Sequence, residues 1–392
     1  MSGGPLAGLR VLELGQIASA PFAGSLMADL GADVVKIEPP KGGDGMRNWP
    51  PFTERDGERF SENFASLNRG KRSVALDLKS EAGLETMLRL VRAADVLVEN
   101  YRPGALERLG LGHEPVREAN PRLVYCSISG YGASGPYSRK GAFDVTIQAA
   151  AGLMDVTGEA DGNPVKCGVP VADFVAALYA VVCIVASTST ARATGVGAYV
   201  DCSMLGAVLG IAALQTSEYF GTGKSPKRLG ADHPRNAPYG LFRGSDGPFV
   251  LAAGTDELWR RFCEVLEVPE LADDERFVTQ ELRAANQTTL QGLVAPVFAR
   301  RPVREWLPAL EAAGLPCAPI ATFAEALASP EVEALELIKD LPLPNGTQTK
   351  TVIFPTKVSD FDPPEPREPP LLGQHTEEVV GDWAGAREEI GS

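Results

Sequence analysis

Short apolar runs alternate with helical patterns over the first 130 residues of the chain. Runs rich in β-branched and other apolar side chains predict five strands, namely Leu9–Leu14, Asp33–Glu38, Ser73–Leu78, Asp95–Glu99 and Leu123–Ile128. Between the third and fourth runs, apolar residues recur at the spacing of one helix face: Leu84, Met87, Leu88 and Val91. Because strands that alternate with helices join through right-handed crossovers, the pattern predicts an α/β domain with a Rossmann-like parallel sheet.

The segment from Phe174 to about Phe220 predicts two very apolar helices, interrupted at Thr194–Gly197. Its longest uninterrupted apolar run, 174–186, has 13 residues. A helix that crosses a bilayer needs ~20 such residues. We therefore expect a buried helix, which the sheet or another subunit must cover on most of its faces.

The pattern changes again in the second half of the chain. Two β-rich runs between His233 and Ala253 flank Ser245–Gly247, which predicts a hairpin. Charged amphipathic helices follow, at Glu257–Leu266, Gln280–Ala299 and Val303–Ala313. Residues 340–373 are rich in proline and predict an extended strap over the body. The predicted domains are a large Rossmann-like domain (1–225), a smaller α+β domain (226–325) and a C-terminal segment that returns to the large domain (326–392).

Composition narrows the class of protein. The chain has 392 residues, of which 44% are hydrophobic and 22% charged, as is usual for a soluble globular protein. A net charge of −14 argues against general binding of nucleic acid, although a local basic pocket for one small anion remains compatible with it. The six cysteines form no CxxC pair, which argues against a zinc site or disulfides and fits a reducing cytosol. The N-terminus lacks the pattern of a signal peptide, so we expect a cytoplasmic protein without a membrane partner.

Several familiar catalytic motifs are absent from the sequence. The turn at Gly15–Ala18 holds one glycine, whereas a dinucleotide-binding turn needs the GxGxxG pattern. The three histidines are far apart and lack the HExxH spacing, so a metal hydrolase is not supported. We therefore expect chemistry that relies on carboxylates, amides and backbone groups, with no metal and no permanently bound cofactor.

An ordered series of short motifs runs along nearly the whole chain: Pro5–Leu14, Ala28–Glu38, Asn68–Ser73, Glu99–Gly104, Ser129–Gly132, Gly135–Tyr137, Thr157–Glu159, Gly168–Asp173 and Leu371–Thr376. This series resembles the class III coenzyme A transferases of the CaiB-BaiF type, which include formyl-CoA transferase and are related to α-methylacyl-CoA racemase. The resemblance implies an enzyme whose substrates are an acyl-CoA and a carboxylic acid. It also implies an interlocked homodimer, in which the two chains pass through one another like links.

Asp173 lies at the start of the long apolar helix. Local sequence alone favours an N-cap, which accepts hydrogen bonds from backbone N–H groups, whereas the resemblance assigns the nucleophilic carboxylate to this position. The two roles are compatible, because the positive end of a helix keeps a carboxylate ionised. An ionised carboxylate attacks the thioester carbonyl, gives a mixed anhydride and then carries CoA until the acceptor acid arrives.

The resemblance also assigns binding residues. Gln16, otherwise a polar loop residue, is expected to hold the developing oxyanion. The positions implied to contact CoA are Gln16, Ile17, Leu76, Asp77, Leu78, Lys79, Asn100, Tyr101, Arg102, Arg108, Lys140, Phe143 and Asp144. We expect Tyr101 to stack on adenine, and Arg102 and Arg108 to meet phosphates. Pro39 stands where many members of the family have arginine, so one contact to CoA must be replaced.

Three further residues are implied to meet the substrate. Trp49 is otherwise a core or loop-anchoring aromatic residue, but the resemblance places it near the acyl group. Arg47 is expected to pair with the second carboxylate of a dicarboxylic acid. Gly254 lies in the segment Ala253–Asp256, which corresponds to the family's flexible glycine-rich loop and here holds a single glycine.

Phe143 separates the transferase from its alternatives. Racemisation needs a base on each face of the substrate carbon, and related racemases have histidine at this position. Phenylalanine transfers no proton, which favours a transferase. The alternatives left open are a racemase or epimerase that uses Asp173 and Asp144, and a CoA-binding protein without catalytic activity.

Overall fold

The structure is a computed structural model that describes residues 4–385. It contains two compact units: residues 4–153, 167–217 and 330–385 form the first, and residues 154–166 and 218–329 form the second. The domain bounds 1–225, 226–325 and 326–392 stay a prediction, and residues 1–3 and 386–392 of those bounds lie outside the described residues.

The strands are listed here in chain order: β1 (Arg10–Leu14), β2 (Asp33–Glu38), β3 (Phe52–Arg55), β4 (Glu58–Ser61), β5 (Arg72–Ala75), β6 (Val96–Glu99), β7 (Val124–Ser129), β8 (Tyr199–Ser203), β9 (Tyr239–Arg243), β10 (Pro248–Ala252), β11 (Cys317–Pro319), β12 (Ile338–Pro342) and β13 (Gln348–Val352). The helices are α1 (Ser19–Asp29), α2 (Glu62–Asn68), α3 (Glu81–Ala93), α4 (His113–Ala119), α5 (Asp144–Ala150), α6 (Val171–Thr194), α7 (Met204–Ile211), α8 (Ala213–Thr222), α9 (Asp256–Val265), α10 (Gln280–Ala285), α11 (Gln287–Phe298), α12 (Val303–Ala312), α13 (Phe323–Leu327), α14 (Pro330–Ala334) and α15 (Thr376–Gly385).

A parallel sheet of six strands organises the first unit. Its order is β5-β2-β1-β6-β7-β8, and every neighbouring pair is parallel. The predicted parallel sheet is therefore confirmed, and each of the five predicted strands overlaps one of its members. Strand β8 was not predicted, because its five residues are half-polar and are followed directly by the apolar helix α7.

Two apolar clusters cover the two faces of this sheet. Side chains alternate along a strand, so Val11 faces one cluster whereas Leu12 and Leu14 face the other. Helices α1, α6 and α7 supply the first cluster, and α3 supplies the second. The C-terminal helix α15 adds Val379 and Trp383 to the second cluster, so the end of the chain returns to this unit.

Helix α6 is longer than the apolar run that predicted it. It has 24 residues, because it continues through serines and threonines, and the Thr188 hydroxyl donates to the Ile184 carbonyl at 2.7 Å. Small residues such as Ala176 and Ala180 form its buried face, while Leu178 and Val182 are exposed. Of the described helices it alone has the length and hydropathy to cross a membrane, a test that core helices of soluble proteins also pass.

The second unit is built on the antiparallel sheet β11-β10-β9. The predicted hairpin is present as β9 and β10, which pair from Tyr239 to Ala252. Helices α9, α11 and α12 pack large aromatic residues into its core, among them Trp259, Phe298 and Trp306. The single helix predicted over Gln280–Ala299 is two helices, with a break at Asn286, whose side-chain amide donates to the Leu282 carbonyl at 2.9 Å.

Candidate active site

A cavity of about 390 Å³ lies at the carboxyl ends of strands in the first unit. The residues after β1 and β6 line it, together with the end of β7 and the start of α6. Strand order reverses between β1 and β6, because β2 and β5 lie to one side of them and β7 and β8 to the other. Parallel α/β sheets bind ligands at such reversals of strand order.

The cavity brings together most of the residues that the sequence analysis singled out: Gln16, Ile17, Trp49, Asn100, Tyr101, Arg102, Lys140, Phe143, Asp144 and Asp173. It also has lining residues that the analysis missed, among them Ser19, Ser129 and Met204. The sequence could not single out Ser19, because small polar residues are common at helix starts. Its hydrogen bond with Asn100 depends on the fold.

Asp173 occupies a different helix position from the one that local sequence favoured. The N-cap of α6 is Pro170, and Asp173 is the third helical residue. Oδ1 of Asp144 takes the free donors at the helix start, at 2.8 Å from the Ala172 nitrogen and 3.4 Å from that of Asp173. The expected N-cap role of Asp173 is therefore wrong: another helix, α5, supplies the carboxylate that caps α6.

Gln148, fully buried on α5, fixes Asp144 in place. Its amide nitrogen donates to Oδ2 of Asp144 at 2.5 Å, and its carbonyl oxygen accepts from the Cys167 nitrogen at 2.9 Å. Both carboxylate oxygens of Asp144 therefore accept hydrogen bonds within the protein. Gln148 also anchors the segment before α6 through its bond to Cys167. Phe143, directly before Asp144, is 74% exposed and leaves the cavity open beside this pair.

The environment of Asp173 makes its carboxylate basic. Burial, and after it the neighbouring Asp144, raise the pKa of Asp173 to about 7, while a hydrogen bond from Ser19 acts in the opposite direction. The position of Asp173 at a helix start led us to expect that its carboxylate stays ionised. The expectation was too simple, because Asp144 takes the helix N–H groups and places a second carboxylate nearby.

A network of hydrogen bonds surrounds Gln16. Oδ1 of Asn100 accepts from the Gln16 nitrogen at 2.9 Å, and Nδ2 of Asn100 donates to the Gln16 carbonyl at 2.9 Å and to Oγ of Ser19 at 3.0 Å. Burial raises the pKa of the Tyr101 hydroxyl, and the Gln16 side chain acts in the opposite direction. Asn100 therefore holds the backbone of the turn in place while the Gln16 amide lies at the cavity.

Buried charges support the same turn from behind. Ile17 has a left-handed backbone with φ of 66°, which is strained for a β-branched residue, and its nitrogen donates to Asp44 at 3.1 Å. Lys36 binds Asp44 at 2.9 Å and its cross-strand neighbour Glu13 at 2.7 Å. Burial acts to lower the pKa of Lys36, but these carboxylates outweigh it and raise that pKa above the ordinary value.

Several residues implied by the resemblance do not line this cavity. Arg47 binds Glu38 with two nitrogens at 2.7 Å each, and its third nitrogen donates to the Pro370 carbonyl at 3.0 Å. This geometry favours a structural role for Arg47 over pairing with a substrate carboxylate. The loop Leu76–Lys79 also lies outside the lining.

Two other implied residues have different surroundings. Arg108 lines a second cavity of about 650 Å³ in the first unit, which shares Arg102, Pro103 and Ser129 with the first cavity. Gly254 belongs to the second unit, where its carbonyl accepts from the buried Arg283 at 2.9 Å.

Comparisons with known proteins agree with this geometry. Succinate–glutarate CoA-transferase of Agrobacterium fabrum is 39% identical over 381 residues, which cover 96% of this chain and 95% of that protein. Acetyl-CoA:oxalate CoA-transferase of Acetobacter aceti is 38% identical over 369 residues, covering 93% and 92%. The crystal structure of a CAIB/BAIF family protein from Brucella suis matches with a TM-score of 0.87 at 37% identity, covering 98% of this chain and 100% of that one.

The relatives from Agrobacterium fabrum and Acetobacter aceti carry the names of CoA-transferases, which favours a transferase over the racemase alternative. The model of CoA-transferase family III matches residues 6–376, nearly the whole chain. The protein is an enzyme that acts on CoA thioesters, and the chain belongs to CoA-transferase family III.

Proposed function

We propose that the enzyme moves CoA from an acyl-CoA to a carboxylic acid through covalent adducts on Asp173. The observation that carries this proposal is the position of Asp173 in the cavity, on a helix start fixed by Asp144. A carboxylate whose pKa is near 7 is a stronger nucleophile than an ordinary one, yet it is largely ionised above neutral pH.

The proposed reaction exchanges one acyl bond at a time. The Asp173 carboxylate attacks the thioester carbonyl, the C–S bond breaks, and a mixed anhydride and CoA thiolate result. The thiolate then attacks the Asp173 carbonyl of the anhydride, releases the donor acid and leaves CoA on Asp173 as a thioester. The acceptor carboxylate attacks this thioester, the C–S bond breaks, and a second mixed anhydride and CoA thiolate result. The thiolate then attacks the acceptor's acyl carbonyl, which gives the new acyl-CoA and releases the Asp173 carboxylate. The Gln16 amide is proposed to donate to the oxyanion in these steps.

The acids are proposed to be dicarboxylic, because the similar enzymes are named for succinate, glutarate and oxalate. The free carboxylate of such an acid needs a cation, and Arg102 and Lys140 both line the cavity. We assign this contact to them rather than to Arg47, because each of the three guanidinium nitrogens of Arg47 is already hydrogen bonded to Glu38 or Pro370. Trp49, 46% exposed at the cavity, is proposed to pack against the acyl chain.

Coenzyme A is proposed to bind as a substrate rather than as a permanent cofactor. Ile17, Asn100, Tyr101 and Phe143 support this proposal because they line the cavity. The residues proposed from the resemblance alone are Leu76, Asp77, Leu78, Lys79, Arg108 and Gly254.

We further propose an interlocked homodimer in the cytoplasm. The exposed apolar face of α6 and α7 supports a subunit contact, because Leu178, Val182, Leu209 and Ile211 lie on the surface of the described chain. The cysteines, which form no disulfide among the described residues, fit a reducing compartment.

Trapping with hydroxylamine tests the covalent intermediate. We expect incubation with succinyl-CoA and hydroxylamine to convert Asp173 to its hydroxamate, because hydroxylamine cleaves an aspartyl thioester or anhydride. Mass spectrometry of the tryptic peptide 167–192 reports this directly, since Asp173 is the one acidic residue in it. Free CoA in place of succinyl-CoA is the control. An unmodified peptide during turnover would contradict the proposed intermediate, and exchange of the α-proton without CoA transfer would favour a racemase.

The rate of transfer is expected to rise with pH around neutrality. Only the ionised form of Asp173 attacks, and burial together with Asp144 raises the pKa of this group to about 7. We expect kcat/KM for transfer from succinyl-CoA to glutarate to increase from about pH 5.5 to 8.5, with a midpoint near 7. A profile that is flat over this range would contradict the raised pKa in the free enzyme.

A further inference from the structure

The long helix α6 begins without a side chain of its own that could cap it. Its N-cap is Pro170, which has no side-chain acceptor, although the first N–H groups of a helix need one. The acceptor comes from α5, where Oδ1 of Asp144 lies 2.8 Å from the Ala172 nitrogen and 3.4 Å from that of Asp173. The place of Asp173 in the cavity therefore depends on the groups that hold Asp144.

Gln148 holds Asp144 from one helical turn further along α5. A backbone N–H can only donate, so the Gln148 atom that lies 2.9 Å from the Cys167 nitrogen must be the amide oxygen. The NH₂ group of Gln148 then faces Oδ2 of Asp144 at 2.5 Å. Both oxygens of Asp144 thus face donors, which is the arrangement that a carboxylate needs. Gln148 is completely buried, so water does not compete for these bonds.

We propose that Gln148 is a positioning residue for CoA transfer: its amide fixes Asp144 and, through Asp144, the helix start that carries Asp173. This inference rests on the proposed role of Asp173 and adds a residue to it. Gln148 is not among the residues that line the cavity, so its effect on the reaction must pass through Asp144. The bond to Cys167 sets the direction of the amide and therefore the direction in which Asp144 is held.

The first test is Gln148→Leu, which keeps much of the volume but has neither donor nor acceptor. We expect kcat for transfer from succinyl-CoA to glutarate to fall by about 10²-fold, because a misplacement of ~1 Å at the reacting group has an effect of this size. The KM for succinyl-CoA should stay within a few-fold, because no residue that lines the cavity is replaced. An unchanged kcat would overturn the inference.

The matched control for this substitution is Gln291→Leu. Gln291 lies on α11 in the second unit, where its amide also donates to an aspartate, Asp232, at 2.7 Å. The control removes the same kind of bond from a part of the chain that does not line the cavity. We expect it to keep the parent kcat.

A compensating pair of substitutions tests the bond itself. Asp144→Asn puts an NH₂ group against a donor whichever way the new amide is turned, because Gln148 donates on one side and the Ala172 nitrogen on the other. We expect kcat to fall by at least about tenfold. Adding Gln148→Glu restores the bond in the reverse direction, since the new amide donates to the new carboxylate. We expect this double variant to recover about tenfold over Asp144→Asn, and a double variant that is no faster would overturn the inference.

Hydrogen–deuterium exchange provides a measurement that does not depend on activity. Oδ1 of Asp144 accepts the amide proton of Ala172, so the exchange rate of this proton reports how firmly the helix start is held. We expect Gln148→Leu to raise that rate by at least about tenfold and to leave the rate at Ile184, in the middle of α6, unchanged.

The two measurements separate failure of this inference from failure of the proposed function. If Gln148→Leu slows transfer without faster exchange at Ala172, the inference is wrong even though Asp173 remains essential, because the loss does not pass through the helix start. If exchange is faster but Asp173→Asn retains full activity, the proposed function fails and the hold of Gln148 on the helix start stands.

Discussion

Replacing Asp173 with asparagine is expected to lower the rate of CoA transfer by about 10³-fold or more. Asparagine has nearly the same shape and keeps the helix start intact, since Asp144 rather than Asp173 accepts the N–H bonds there. Its amide, however, is not a nucleophile and forms no anhydride. The measurement is the initial rate of succinyl-CoA consumption with glutarate as acceptor.

Asp56→Asn is the matched control for this substitution. Asp56 lies at an exposed turn in the same unit, with 91% of its side chain accessible, and it is not among the residues that line the cavity. We expect this variant to retain the parent rate. Undiminished transfer by Asp173→Asn would remove the covalent mechanism.

The same substitution is expected to stabilise the protein at alkaline pH. The pKa of Asp173 is about 7 in the folded chain and near 3.8 in the unfolded one. The folded state therefore holds the proton more tightly than the unfolded state does. As a result, the free energy of unfolding of the parent protein falls as pH rises from about 4 to 7. Asparagine carries no charge, so the variant should gain roughly 4 kcal/mol over the parent at pH 8 and less than about 1 kcal/mol at pH 4. Urea denaturation at the two pH values measures this difference.

Replacing Lys36 with methionine is expected to lower the free energy of unfolding by about 3–5 kcal/mol. Methionine fills much of the volume, but it leaves the buried carboxylate of Asp44 without its cation, Glu13 with Lys71 as its remaining cation, and the Gly15 carbonyl without its donor. Since Asp44 also accepts from the strained Ile17, the turn at the cavity loses its support. The midpoint of urea denaturation measures the change.

A lysine at the surface provides the comparison for Lys36. Lys357 pairs with Glu336 at 3.6 Å, and both side chains are 72% exposed. Lys357→Met is expected to change the free energy of unfolding by no more than about 0.5 kcal/mol. Equal effects of the two substitutions would show that the buried cluster contributes no more than an ordinary surface pair.

The parallel sheet was predictable because local pattern determines it. β2 matches its predicted bounds, since a run of β-branched residues between turns has one clear interpretation. β8 was missed, because five residues between two apolar helices do not outweigh the helical pattern around them. The position of each strand in the sheet, and therefore the reversal between β1 and β6, depends on pairing that no local pattern encodes.

The sequence could predict which residues line the candidate site, but not the hydrogen bonds between them. The resemblance assigned roles to Asp173 and Asp144, and both line one cavity. The capping of α6 by a residue 29 positions earlier could not be read from the sequence, since it depends on how α5 packs. Arg47 shows how little charge alone says about a contact, because its charge suggested a substrate carboxylate, whereas its guanidinium nitrogens bind Glu38 and the Pro370 carbonyl.

The pairing of Asp144 with Asp173 has a consequence for the energetics of the adducts. Free Asp173 bears a negative charge in a poorly hydrated place beside another negative charge. Once acylated or joined to CoA, the same side chain is neutral, and that repulsion disappears. In the proposed cycle, electrostatic repulsion therefore destabilises the resting enzyme but not the intermediates. This lowers the free energy of the anhydride relative to that of the free carboxylate.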